Sequence, residues 1–160
     1  MSEAQDDDAA PREAGDARRK NVMALLARSD TGRLAAAWEA LTNKPGYRTV
    51  RAPETGLVMV RGRAGGGGRP FNLGEATVTR AVVTIETGET GYSYALGRDR
   101  KKALYAALFD ALWQAPRHRG ELERSLIGPL ARDLEGADAR SRAETAATKV
   151  DFFTMVRGED

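Results

Sequence analysis

The sequence contains no cysteine and a single histidine, His118. Without a thiol this chain can form no disulfide, ligate no iron–sulfur cluster or cysteine-bound zinc, and offer no thiolate nucleophile. One imidazole is too few for a His-rich metal site or an H-E-x-x-H zinc helix. Long apolar runs are also missing. None approaches the roughly 18 residues that cross a bilayer, so a membrane-spanning protein is not expected. Charge of one sign does not dominate either, because 25 Lys and Arg face 23 Asp and Glu for a formal net charge of +2. That balance neither demands a nucleic-acid partner nor excludes one. The N-terminus has no apolar h-region, so no secretory signal is read there and a cytoplasmic address is expected. If the protein takes part in demanding chemistry, most of the reactive groups must come from elsewhere.

What is present describes a folded chain. Its 160 residues are 41% apolar and 30% charged, the balance of one soluble domain able to bury about 68–70% of its unfolded surface. Met1 to about Asp16 is acidic, Ala-rich and poor in large apolar residues, which predicts a disordered arm ahead of a domain over 17–160. From Ala17 the pattern turns helical, with Val22, Leu25 and Leu26 on one stripe. A second helix is predicted after Ser29-Asp30-Thr31-Gly32, with Leu34, Trp38 and Leu41 on its apolar side. Tyr47 to Arg51 and Leu57 to Arg63 read as short strands joined by a turn at Pro53-Glu54-Thr55-Gly56. Ala76 to Glu86 and Tyr92 to Leu96 read as a second pair around Thr87–Gly91. On the third strand Thr79, Ala81, Val83 and Ile85 form the more apolar face and should meet the core. Asp99 to about Gln114 is the strongest helix, with Leu104, Leu108, Ala111 and Leu112 flanked by Tyr105, Phe109 and Trp113. Such a circumference makes it either central to the fold or covered by a partner. Pro116 should end it, and further helices are predicted near Glu121–Ile127 and from Leu130 to Lys149, with a break at Gly136. The small residues Ala139, Ala143, Ala146, Ala147 and Val150 form a stripe on the last helix. The fold class is therefore α+β, a single domain with an antiparallel sheet of about four strands flanked by helices.

Four segments invite a functional reading. Gly65-Gly66-Gly67-Gly68 lacks the Lys-Ser or Lys-Thr of a phosphate loop and leads towards a strand, so a mobile connector is expected. Arg98, Arg100, Lys101 and Lys102 crowd the first turn of the strongest helix, where cations oppose the helix dipole. Together with Arg80 they are candidates for binding an anion or an acidic partner. His118, between Arg117 and Arg119, is expected on a surface loop, and Glu54, Glu75 and Glu86 have no spacing that enforces a carboxylate pair. No catalytic residue and no metal ligand is assigned. The C-terminal Phe152, Phe153, Met155 and Val156 are too apolar to fray in water and must dock on this chain or on another.

Several separated motifs, in order, carry a family resemblance. They are Arg51-Ala52-Pro53-Glu54-Thr55-Gly56-Leu57-Val58, Gly74-Glu75-Ala76-Thr77-Val78-Thr79-Arg80-Ala81, Gly91-Tyr92-Ser93 and Gly97-Arg98-Asp99. The most distinctive is Val150-Asp151-Phe152-Phe153-Thr154-Met155-Val156-Arg157-Gly158. From about residue 20 onward the chain resembles the PhnG subunits of bacterial carbon–phosphorus lyase. The resemblance implies an accessory, non-catalytic subunit of a two-fold symmetric complex with PhnH, PhnI and PhnJ. That complex transfers methylphosphonate onto ATP with release of adenine, giving α-D-ribose 1-methylphosphonate 5-triphosphate in phosphonate catabolism. It also implies nucleosidase chemistry on PhnI, an iron–sulfur cluster on PhnJ and no cofactor in this chain.

The preferred contact surfaces on this reading are the helix from Asp99, through Tyr105, Phe109 and Trp113, and the segment Phe152, Phe153, Met155 and Val156. Two alternatives come from other classes. A winged-helix-like nucleic-acid module would use the N-terminal helices with Arg18, Arg19 and Lys20, and a stand-alone nucleotide enzyme would use the basic helix start.

Overall fold

The computed structural model describes residues 9–65 and 67–148. In order it runs α1 (Ala9–Arg28), α2 (Thr31–Ala40), β1 (Tyr47–Arg63), β2 (Pro70–Ile85) and β3 (Thr90–Leu96). Then come α3 (Arg100–Gln114), α4 (Pro116–Leu122) and α5 (Gly128–Ala147), with a π-helical turn over Glu123–Ile127 between the last two. The class is α+β, as expected. The antiparallel sheet, however, has three strands among the described residues, in the order β1-β2-β3.

The missing fourth strand has a local cause. The turn expected at Pro53–Gly56 does not form, and β1 runs through it as one strand of 17 residues. Its pairing with β2 slips between Arg51 and Glu54. Pro53 therefore sits at an irregularity of an edge strand, where its lack of an N–H leaves no ladder bond unmade. The reversal falls instead in the glycine run, where the Gly68 N–H donates to the Ala64 carbonyl at 3.0 Å. That run is a hairpin connection, and β2 leaves it at Pro70, well before the expected Ala76.

The helical ends also differ from expectation. Helix α1 already starts at Ala9, within the stretch predicted as an arm. Pro11 falls in its first turn, where an N–H would have no partner. Residues 1–8 lie outside the described residues. Pro116–Gly120, expected as a loop, opens α4 with proline at its first position, a place proline favours. Helix α5 passes through Gly136 without the expected break.

Helix α3 lies on the inner face of the sheet. Ala81, Val83 and Ile85 of β2 meet it, as their alternation predicts, and Ala95 of β3 is buried beside them. The approach is closest at Gly91, where an added Cβ would sit 1.9 Å from the Ala107 carbonyl oxygen and 2.5 Å from the Ala111 nitrogen. The small residues Ala103, Ala106, Ala107 and Ala111 make that approach possible, all with at most 3% exposure. On its other side α3 is covered by Val22 and Leu26 of α1, Leu34 of α2 and Leu122, Leu126, Ile127 and Leu130 from the C-terminal helices. Trp38 packs edge-on against both Phe109 and Tyr47. Full burial of a side chain such as Leu108, Phe109 or Leu112 is worth about 1.5–3 kcal/mol. Of the two roles open to this helix, the structure selects the central one.

A candidate docking face and a cationic helix start

Strand β3 alternates small and large. Gly91, Ser93 and Ala95 point at α3, while Tyr92, Tyr94 and Leu96 point away from it, 47%, 51% and 74% exposed. Opposite them on the same face of β2 stand Val82, Arg80 and Val78. The neighbouring positions of β1 are Arg51, Glu54 and Gly56. The Glu54 Oε1 accepts from Arg80 Nε and from an Arg51 guanidinium nitrogen, each at 2.6 Å. These two guanidinium groups, Arg51 first, hold the Glu54 carboxyl below the usual carboxylate range. Arg80 is thus a member of the outer sheet face, and the structure does not join it to the basic turn of α3.

β3 pairs with β2 only as far as Val78. Beyond that rung, β1 and β2 continue alone as a two-stranded ribbon to Arg63 and Pro70. The ribbon carries Val60, Phe71 and Leu73 on the outer face, and Leu57 and Met59 on the inner one, all 39–62% exposed. Leu73 lies so close over Gly62 that an added Cβ there would meet its Cδ1 at 2.5 Å. The outer face is therefore apolar from Tyr92 to Phe71, interrupted by the Arg51–Glu54–Arg80 group. These apolar residues went unflagged in the sequence. The signal was the alternation in β3, whose larger side chains face outward because α3 leaves room only for small ones inside.

At the start of α3, Asp99 is the N-cap. Its carboxylate accepts the Lys102 N–H at 2.8 Å and the Thr31 hydroxyl at 2.5 Å. These bonds, that from Lys102 first, hold the Asp99 carboxyl below the usual range. The helix end is thus met by a carboxylate of this chain. Arg98, Arg100 and Lys101 are exposed and Lys102 half-buried around it. None of their side chains joins the ion pairs found among the described residues.

Two of the expected contact residues have no exterior to offer. Phe109 is 0% and Trp113 4% exposed, because α1, α2 and the C-terminal helices enclose α3, while Tyr105 is half-buried against the same core. Phe152, Phe153, Met155 and Val156 lie outside the described residues. His118 is not on a surface loop but buried in α4, its Nε2 accepting from Arg117 Nε at 3.0 Å. It borders an open cleft of about 450 Å³ with Lys44, Glu86, Arg117 and Glu121. Glu86 accepts the Gly46 N–H there, so Glu54 and Glu86 serve separate partners. Among the described residues no three His, Asp or Glu side chains come together as a metal site, and no helix is long and apolar enough to cross a membrane.

The described residues thus form an α+β domain with one broad, exposed apolar sheet face. Residues 17–158 match the family described as phosphonate metabolism protein PhnG, and the chain belongs to that family. It is also 56% identical over 148 residues to the alpha-D-ribose 1-methylphosphonate 5-triphosphate synthase subunit PhnG of Rhizobium meliloti (strain 1021). The alignment covers 92% of this chain and 94% of that relative.

Proposed function

We propose that this chain is the PhnG subunit of an α-D-ribose 1-methylphosphonate 5-triphosphate synthase and has no catalytic residue of its own. The observation that carries the reading is the 56% identity, over nearly the whole of both chains, to a relative named as that subunit. In the reaction an oxygen of methylphosphonate forms a bond to the ribose C1 of ATP as the bond to adenine breaks, leaving the triphosphate in place. Nucleosidase chemistry of this kind falls to PhnI, and the iron–sulfur cluster of the later lyase step to PhnJ. With PhnH these complete a two-fold symmetric assembly, and this chain binds and supports the catalytic subunits. Nothing favours the winged-helix alternative.

The test is reconstitution. The assembled subunits should release adenine from ATP in the presence of methylphosphonate, this chain alone should release none, and the assembly lacking it should lose turnover. Adenine release by the isolated chain, or full turnover without it, would sink the reading.

A further inference from the structure

The outer sheet face and the ribbon that prolongs it leave Tyr92, Tyr94, Leu96, Val60, Phe71 and Leu73 exposed and outside the core, with the Arg19 guanidinium 5.7 Å from the Tyr92 ring at one end. A two-stranded ribbon is marginal in water by itself, and apolar patches of this breadth on a soluble chain mark contact sites. We infer that this face, from Tyr92, Tyr94 and Leu96 to Val60, Phe71 and Leu73, docks a partner polypeptide whose surface is apolar and carries a carboxylate where it meets the Arg51–Glu54–Arg80 group. The inference rests on the subunit reading above, and the partner is another subunit of the same synthase.

Charge selects this occupant. Arg48, Arg51 and Arg80 stand on the face against the carboxylate of Glu54, so a second copy laid face to face would set cation against cation. A carboxylate-bearing partner would instead complete the Arg51–Glu54–Arg80 group, whose single carboxylate is shared by two guanidinium ions. The aliphatic content separates a protein partner from a nucleic acid. Tyr92 and Tyr94 have rings on which bases stack, but Leu96 and Leu73, 74% and 62% exposed, do not.

The test uses the full chain co-expressed with the other synthase subunits, one of which carries the affinity tag. Leu73→Asp/Leu96→Asp should lower the amount of this chain retained at least tenfold, and Arg80→Glu severalfold. Arg140→Glu, exposed on α5, should be retained like the wild type. The isolated double variant should keep the wild-type thermal midpoint, because its positions face solvent. Wild-type retention of both sheet-face variants would overturn the docking face while leaving the subunit reading intact. A fall of more than about 4 °C in the isolated double variant would place this chain's own residues on the face and overturn it too. So would an isolated wild-type dimer split by the same substitutions, or a single-stranded oligonucleotide bound by the wild type and lost from the variants. Failure of the wild type itself to be retained would remove the subunit reading, and the inference with it.

Discussion

Gly91 and Asp110 tie β3 to α3 in opposite ways, one by having no side chain and the other by having a charged one. At Gly91 the helix backbone occupies the place of a Cβ, so Gly91→Ala must push α3 off the sheet. A loss of about 3 kcal/mol is expected, measured as the midpoint of urea unfolding. Asp110 is wholly buried and accepts both Nε and Nη2 of Arg19, at 3.0 and 2.7 Å, together with the Tyr92 N–H at 2.9 Å. One carboxylate thus joins α1, α3 and β3. Arg19 keeps 28% of its side chain in water, which screens the pair, so Asp110→Ala is expected to lose about 3 kcal/mol, the low end for breaking a buried ion pair. Much of that loss comes from the cation and N–H left without a partner. Arg19→Ala/Asp110→Ala should therefore lose less than the sum of the two single variants, as a double-mutant cycle would measure.

Helix α3 depends on a cap as well as on burial. Removing the Asp99 carboxylate in Asp99→Ala is expected to cost about 1 kcal/mol, while Asp99→Asn, still an acceptor, should retain most of it. The Asp99 and Glu54 carboxyls are both held low in the folded chain, so near their ordinary range the folded state binds fewer protons than the unfolded one. The stability they supply is present above about pH 4 and is lost as pH falls through their folded values. Thermal unfolding between neutral pH and pH 2.5 should therefore show a steeper acid loss for the wild type than for Asp99→Asn. The elements that were legible in the sequence are those whose own periodicity decides them, such as the apolar face of β2 and the stripe of α3. Pro53–Gly56 was misread because turn chemistry is judged locally, whereas a long pairing partner keeps these residues extended. Pro116–Gly120 was misread for a similar reason, since proline that ends one helix can open the next. In β3 the alternation was visible but not its direction, because the inner face is fixed by how little room α3 leaves rather than by hydropathy.

Among the described residues none of 58–76 belongs to the core, although they form much of the longer hairpin. Joining the Leu57 and Thr77 rung through Asn-Gly in place of 58–76 should make a short hairpin with a favoured two-residue loop. The isolated chain is expected to keep its thermal midpoint within about 4 °C, and on the docking inference to lose its hold on the other synthase subunits, read by the same tagged purification. Stability and assembly would then map to different parts of one small molecule. The projecting ribbon has a further consequence for the cell. A copy made in excess of its partners displays an open strand edge beside bare leucines and a phenylalanine, the features through which chains stick to their own kind. Orphaned copies are thus natural prey for chaperones and proteases, and the protein's abundance should follow the supply of whatever shelters that ribbon rather than the rate of its own synthesis.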